Sequence, residues 1–337
     1  MELPFKDTRD EFEQEFKTAL GFVDVDLPYI KIKPDLKVSA TNLIKVIGKP
    51  TYEALIANYN ATDSSTPKRD DELNEAFQYA IATRAYQLFA PANDLAHTPN
   101  GRRMRSSDDQ KTPFEWMMAK DDDNLQKRTY KAIDSLINYM DESFEFWKTS
   151  DQFKLTHKLF VRTLDDFSSA YILDSRLLLI KLVPGLNQAE QREILPRIGA
   201  ELFESLKAKI IYKASGETTD TSKAITADEA LLISLIKEAC AFYALSWGFI
   251  RLQVNMFPEG ILQSVRAEKS TVKGRSVPIV PVIDQISKLF KNDSDNALIN
   301  IEIQIEKMFP RPIIERNESE TNEDRYGFSQ DDPFVTT

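Results

Sequence analysis

The sequence predicts a mainly α-helical protein. The expected architecture is a helical bundle core with a long extended loop or hairpin at about residues 93–110, minor β structure, and extended N- and C-terminal arms. Two observations carry that expectation. Apolar residues recur at steps of three and four through most long segments. Capping signals (Ser, Thr or Asp ahead of such segments, Gly or Pro behind them) set the boundaries. The organising stretch is 112–147. Thr112 caps, Pro113 suits the first helical position, and Glu115 completes a capping box. Beyond the acidic run Asp121-Asp122-Asp123, one face collects Tyr130, Ile133, Leu136, Ile137, Met140, Phe144 and Trp147. So broad and aromatic a face must be covered by other helices.

In chain order, residues 1–38 read as an arm with one helix, its face made by Phe12, Phe16, Ala19 and Leu20, with Gly21 as its C-terminal cap. Pro28 and Pro34 predict an extended passage over 22–37. Residues 39–309 form the core domain. A short helix over 42–47 is broken by Gly48-Lys49-Pro50, and Thr51 caps another through Leu55, Ile56 and Tyr59. Residues 60–68 are a polar loop. A strong helix over 70–90 carries Leu73, Phe77, Ala80, Ile81 and Leu88, and Pro91 closes it. The excursion 93–110 turns at 97–101, and a structureless loop of that length is characteristically functional or ordered by a partner.

After the organising helix, 150–157 is polar and a helix is expected over 158–183, ended by Pro184-Gly185. Asn187 with Glu190 caps the next, which Pro196 kinks on its way through Ile210. Thr226 and Glu229 form a second capping box ahead of a buried helix over 227–255, terminated by Pro258-Glu259-Gly260. A hairpin or extended crossing is expected over 261–280, then a short helix over 282–291. In the last element, 297–308, Ile299, Ile301, Ile303 and Ile305 alternate like a strand, while Leu298, Ile301, Ile305 and Met308 fit a helix. The caps Asp293-Ser294-Asp295 favour the helix. Residues 310–337 are an acidic, proline-punctuated tail with no core of its own, either mobile or laid on a partner.

Bulk properties narrow the function. A net charge of −10 and a pI near 5.0 argue against coating nucleic acid. A single cysteine, Cys240, allows no disulfide framework and fits a reducing compartment. The N-terminus lacks the charged and apolar regions of a signal peptide. The most apolar stretch, 230–250, is interrupted by Ser234, Lys237, Glu238 and Ser246, and reads as a buried helix rather than a membrane span.

The two histidines, His97 and His157, have no cysteine near them in sequence and form no HExxH. Consecutive helical carboxylates at 121–123 point in different directions and cannot converge on one cation. No GxGxxG, Walker A or GxSxG pattern occurs. No catalytic residue, cofactor or metal ligand is therefore expected, and the protein is not expected to be an enzyme. The candidate residues are those of a partner interface. Arg102, Arg103 and Arg105 form the concentrated basic spot, suited to an acidic neighbouring subunit or to DNA phosphates, or else simply solvated. Trp116 and Met117 are either an exposed anchor or core.

Several of these residues also carry a resemblance. Ala82-Thr83-Arg84-Ala85-Tyr86, the 93–110 excursion, Lys111-Thr112-Pro113-Phe114-Glu115-Trp116, Ala132-Ile133-Asp134-Ser135-Leu136 and Asp174-Ser175-Arg176-Leu177 are similar to a family of virion structural proteins. That family belongs to tailed phages and prophages of the Bacteroidetes group, including crAss-like phages. The third stretch looks like its K-T-A-F-x-(W/Y) helix start, departing at Pro113, and the fourth like its A-x-D-x-L helix core. The resemblance implies a head–tail connector or neck ring protein, located in the virion at the head–tail junction and made in the host cytoplasm. It implies a ring homo-oligomer, about twelve copies at a portal-proximal position, in contact with the portal protein and neighbouring ring proteins. DNA passes through its lumen without specific binding, and no membrane is involved. The alternatives are a capsid-associated or tail-terminator protein, or a non-virion assembly chaperone or adaptor.

Overall fold

A computed structural model describes residues 1–23, 27–62, 68–98, 101–104, 114–168, 170–214, 220, 223–252, 254–257, 260–265, 274–276 and 280–310. The described residues are mostly helical and build two hydrophobic cores, one from side chains between Leu3 and Trp147, the other between Leu159 and Ile301.

The first core begins with α1 (Arg9–Leu20), which buries Phe12, Phe16 and Leu20. Phe5 closes over the Phe12 and Phe16 rings at 5.9 Å. Gly21 ends the helix as expected, at φ 69°, its N–H donating to the Lys17 carbonyl at 2.8 Å. Residues 29–37 are not extended. They open α2 (Tyr29–Ile47), so the boundary expected at 38/39 falls inside a helix. Pro28 is its N-cap and Pro34 lies within it. The spacing of Ile32, Leu36, Ala40, Leu43 and Ile47, all buried, outweighs the proline. The chain breaks at Gly48, and α3 (Lys49–Asn60) buries Tyr52, Leu55, Ile56 and Tyr59.

Asp70 caps α4 (Asp71–Asn93), its carboxylate accepting the Leu73 N–H at 3.0 Å. Pro91 does not close α4, which runs two residues further. A hairpin follows, β1 (Leu95–Thr98) against β2 (Gly101–Met104), pairing Leu95 with Met104 and Thr98 with Gly101. The organising helix is α5 (Glu115–Ser143). Phe114 is its N-cap and makes no side-chain cap bond, in place of the expected Thr112; Thr112 and Pro113 lie outside the described residues. Tyr139 donates to Asp70 at 3.1 Å and Thr129 to Gln87 at 3.1 Å, so α5 runs antiparallel to α4. Leu136, Ile137 and Met140 of the expected face are buried, whereas Tyr130 is exposed. Phe144 breaks the helix in extended backbone. Trp147 sits on the separate α6 (Glu145–Thr149), buried, and the segment expected to be merely polar is α7 (Asp151–His157).

A seam joins the two cores. The Asp141 carboxylate accepts Trp147 Nε1 at 2.7 Å and Arg176 Nε at 2.8 Å, and Arg176 also donates to Thr156 Oγ1 at 3.0 Å. Asp134 accepts the Leu177 N–H at 2.6 Å.

The single helix expected over 158–183 is divided into α8 (Leu164–Ser168) and α9 (Arg176–Ala189). Two caps divide it. Asp166 accepts the N–H groups of Arg162 and Thr163 while Thr163 Oγ1 accepts the Asp166 N–H, and Ser175 accepts that of Leu178. Pro184 and Gly185 do not end α9. A side chain at Gly185 would meet Trp247 and the Ala244 backbone at 3.1–3.2 Å, so glycine here is what lets α9 lie close to the next long helix. The chain continues through a π-helical turn (Glu190–Ile194) and α10 (Leu195–Ile198) to α11 (Ala200–Ala214). Glu190 does not serve Asn187. It is buried, accepting the Phe160 N–H at 2.5 Å and pairing with Lys207 at 2.6 Å.

The Thr226–Glu229 capping box opens α12 (Ala227–Arg251) as expected, but α12 stops four residues short of 255. An antiparallel sheet follows, β3 (Val254–Phe257), β4 (Gly260–Val265) and β5 (Gly274–Ser276), in agreement with the expected hairpin or crossing. The two last helices are one, α13 (Val280–Met308). Ser294, expected as a cap, is buried and donates to the Ala239 carbonyl at 3.1 Å. Ile301 is buried and Ile305 packs on the core, while Ile299 and Ile303 face outward. The strand-like alternation is thus a helix with apolar residues on two faces. By length and composition α12 could cross a membrane, yet Leu232, Ile236, Ala239, Cys240 and Ala244 are buried in the second core.

Candidate partner interface

The sequence-predicted interface residues that are described lie on the hairpin that follows α4 and in the first turn of α5. The hairpin grows from the end of α4, where the Asp94 N–H still donates to the Ala90 carbonyl at 3.2 Å. Arg102 and Arg103 lie on β2, opposite His97 and Ala96. Arg105 lies outside the described residues. Trp116 and Met117 are in the first turn of α5, 48% and 43% exposed, so they are surface residues, not core. Phe114, just ahead of them, is 68% exposed and was not singled out by sequence. Its only signal is an apolar residue at a cap position. The N–H groups of Met117 and Met118 both donate to the Phe114 carbonyl, at 2.9 and 3.2 Å, which fixes the three large side chains on one rigid turn.

Helix length explains the exposure. Asp94, at the end of α4, is level with Asp121 and Asp122 of α5. Burial pushes the Asp94 carboxyl above the usual range, and those two neighbouring carboxylates push it further. Residues 115–120 therefore run past α4, a projection of roughly 9 Å at 1.5 Å per residue. Leu125 is the first deeply buried residue of α5. Below the projection, Arg128 lies 4.7 Å from the Phe22 ring, which meets Tyr86 edge-on at 5.7 Å and ties α5 to the segment after α1.

This arrangement can hold a macromolecular partner: three apolar side chains on a helix end with a carboxylate cluster beneath. Among the described residues, no group of three His, Cys, Asp or Glu side chains is placed to hold a metal ion. Cys240 is fully buried and burial pushes its thiol well above the usual range, leaving it an apolar core side chain. His157 stacks on Phe153 with ring centroids 3.5 Å apart, and burial holds its pKa below the usual imidazole value. No curated protein matches the chain, and no solved structure does. A family of unknown function, DUF6712, matches over residues 43–156, which hold the hairpin and α5, and over 194–301; the chain belongs to that family.

Proposed function

We propose that this protein is a structural component of a phage virion, a head–tail connector or adaptor that forms a ring in the neck between portal and tail and lets DNA pass. The observation that carries the reading is the projecting start of α5, where Phe114, Trp116 and Met117 are exposed. Large apolar and aromatic side chains on a rigid helix end are what a protein interface uses as anchors. Closed rings need two different surfaces that meet head to tail, and this projection is suited to be one of them. The net charge of −10 fits a component that DNA passes without adhering. The sequence resemblance gives the reading its location. In it the protein acts by assembly, through contacts with itself, the portal protein and adjoining ring proteins, and not by catalysis.

The test is the copy number in purified particles relative to the major capsid protein. About a dozen copies per particle supports a closed ring at one vertex. Hundreds of copies would place the protein in the capsid shell, and absence from the particle would leave an assembly factor.

A further inference from the structure

The two cores are built on one plan. Each has a helix with an internal proline, α2 with Pro34 and α9 with Pro184. Each then turns at a glycine of nearly the same backbone angles, Gly48 (φ 83°, ψ 153°) and Gly199 (φ 80°, ψ 154°). Another helix follows (α3, α11), then a long helix with a side-chain cap (α4, α12), antiparallel strands, and a 29-residue helix (α5, α13). The residues repeat with the plan. Ile30-Lys31-Ile32 and Pro34-Asp35-Leu36 correspond to Ile180-Lys181-Leu182 and Pro184-Gly185-Leu186, and Ile47-Gly48 to Ile198-Gly199. Between these points the second copy is one residue longer, and its π-helical turn (Glu190–Ile194) takes up that residue. The buried Leu73, Ala80, Ala82 and Ala85 of α4 return unchanged in α12 as Leu232, Ala239, Ala241 and Ala244. The two stretches that the family matches begin at equivalent residues, Leu43 and Ile194. Order, angles and residues together mark a tandem repeat of one helical unit.

The two units meet head to tail, with α9 of the second lying on α5 of the first. Asp134 of α5 accepts the Leu177 N–H at 2.6 Å, Lys181 Nζ lies 5.7 Å from the Tyr130 ring, and Ile180 packs against the first core. A tandem repeat leaves the two halves of such a contact open at its ends. Ile30, the counterpart of Ile180, is 80% exposed, and Pro34 and Val38 continue its stripe along α2. At the other end, α13 turns Ile299 and Ile303 outward. The charges around the two faces are opposite. Residues 31–45 hold four lysines and one aspartate, while residues 293–306 hold four carboxylates and no lysine or arginine. Lys31, Lys37 and Lys45 on α2, and Asp293 and Glu306 on α13, are exposed and make no ion pair among the described residues.

We infer that a second copy of this chain covers these faces. The α2 stripe of one copy, Ile30, Pro34 and Val38, docks on Ile299 and Ile303 of α13 in the next, as α9 docks on α5 within the chain. The contact is heterologous, so copies add head to tail until a ring closes or a filament grows. It is separate from the α5 projection, does not rest on the virion reading and survives its failure.

Sedimentation velocity of the purified full-length protein over a concentration series tests it, with two variants at exposed positions, Ile30→Glu and Ile303→Glu. Wild-type protein should associate as concentration rises, and more strongly at low salt. Each variant alone should associate at least tenfold more weakly with an unchanged melting temperature. Mixed in equal amounts, the two variants should form a species of twice the chain mass and none larger, because one intact α2 face meets one intact α13 face. That species also shows that both variants are folded. Wild-type protein that stays monomeric at every concentration, a variant that associates like wild type, or a mixture that stays monomeric would each overturn the proposal.

Discussion

Arg176 carries its charge into the seam between the cores, its side chain 4% exposed, and Asp141 is the carboxylate that answers it. Removing one partner of a buried pair leaves the other uncompensated, a loss of about 3–5 kcal/mol. Arg176→Ala should therefore lower stability by about that amount in denaturant titration, and Trp147 fluorescence should report it, because the indole shares Asp141. Asp166 makes a different kind of statement. Burial alone would raise its carboxyl, but hydrogen bonds from Lys237 and from the Arg162 and Thr163 N–H groups more than offset that and hold it below the ordinary 3.8. A depressed folded-state value stabilises the protein above the unfolded value and is lost as pH falls through the folded one. Asp166→Asn should thus show its full deficit, about 1.5–3 kcal/mol for hydrogen bonds to a charged group, above pH 3.8. The deficit should shrink as pH falls below that value. A deficit that stays constant down to acid unfolding would show that the carboxylate charge contributes nothing.

At the scale of elements, the capping box at Thr226 is the local signal most directly readable from sequence, and α12 begins where it says. Thr226→Ala should cost about 0.5–2 kcal/mol, seen as an earlier loss of helical circular dichroism on heating. The same kind of signal at Thr163–Asp166 and Ser175 divides α8 from α9, yet the apolar spacing across 158–183 conceals it. Prolines misled in the other direction. Pro34, Pro91 and Pro184 all lie inside helices. The proline rule is local, whereas Ile32, Leu36 and Ala40, or Leu182, Leu186 and Ala189, gain their stabilisation from burial that no local window contains. Helical character was legible in most segments but not over 29–37 or 151–157, where prolines and polar residues concealed it. Helix ends were legible where a side chain caps them and illegible where tertiary packing carries the chain through.

For the whole molecule, the arginine hairpin and the Trp116–Met117 pair were legible as candidates, but the exposure of Trp116 and Met117 was not, because it depends on α5 outrunning α4. Substitution of Trp116 and Met117 by Ala should leave stability within about 0.5 kcal/mol, as for exposed positions generally, while the proposed function requires that self-assembly or incorporation into particles be lost. An equal loss of stability would return these residues to a structural role. The two-faced α13 has a consequence for synthesis. Its inward residues complete the cover over α12, the most apolar helix, and Ser294 reaches the Ala239 carbonyl near the middle of α12. A ribosome that has made α12 but not yet Val280–Met308 therefore holds a nascent chain with a bare apolar surface. The missing piece, with isoleucines at every second position from 299 to 305, is itself prone to β-aggregation while unfolded. Yield in the cell is then set by a race between docking of this last helix and intermolecular pairing of its isoleucines. Slower translation through 280–308 at fixed temperature would shift that race toward aggregates without altering the stability of the finished fold.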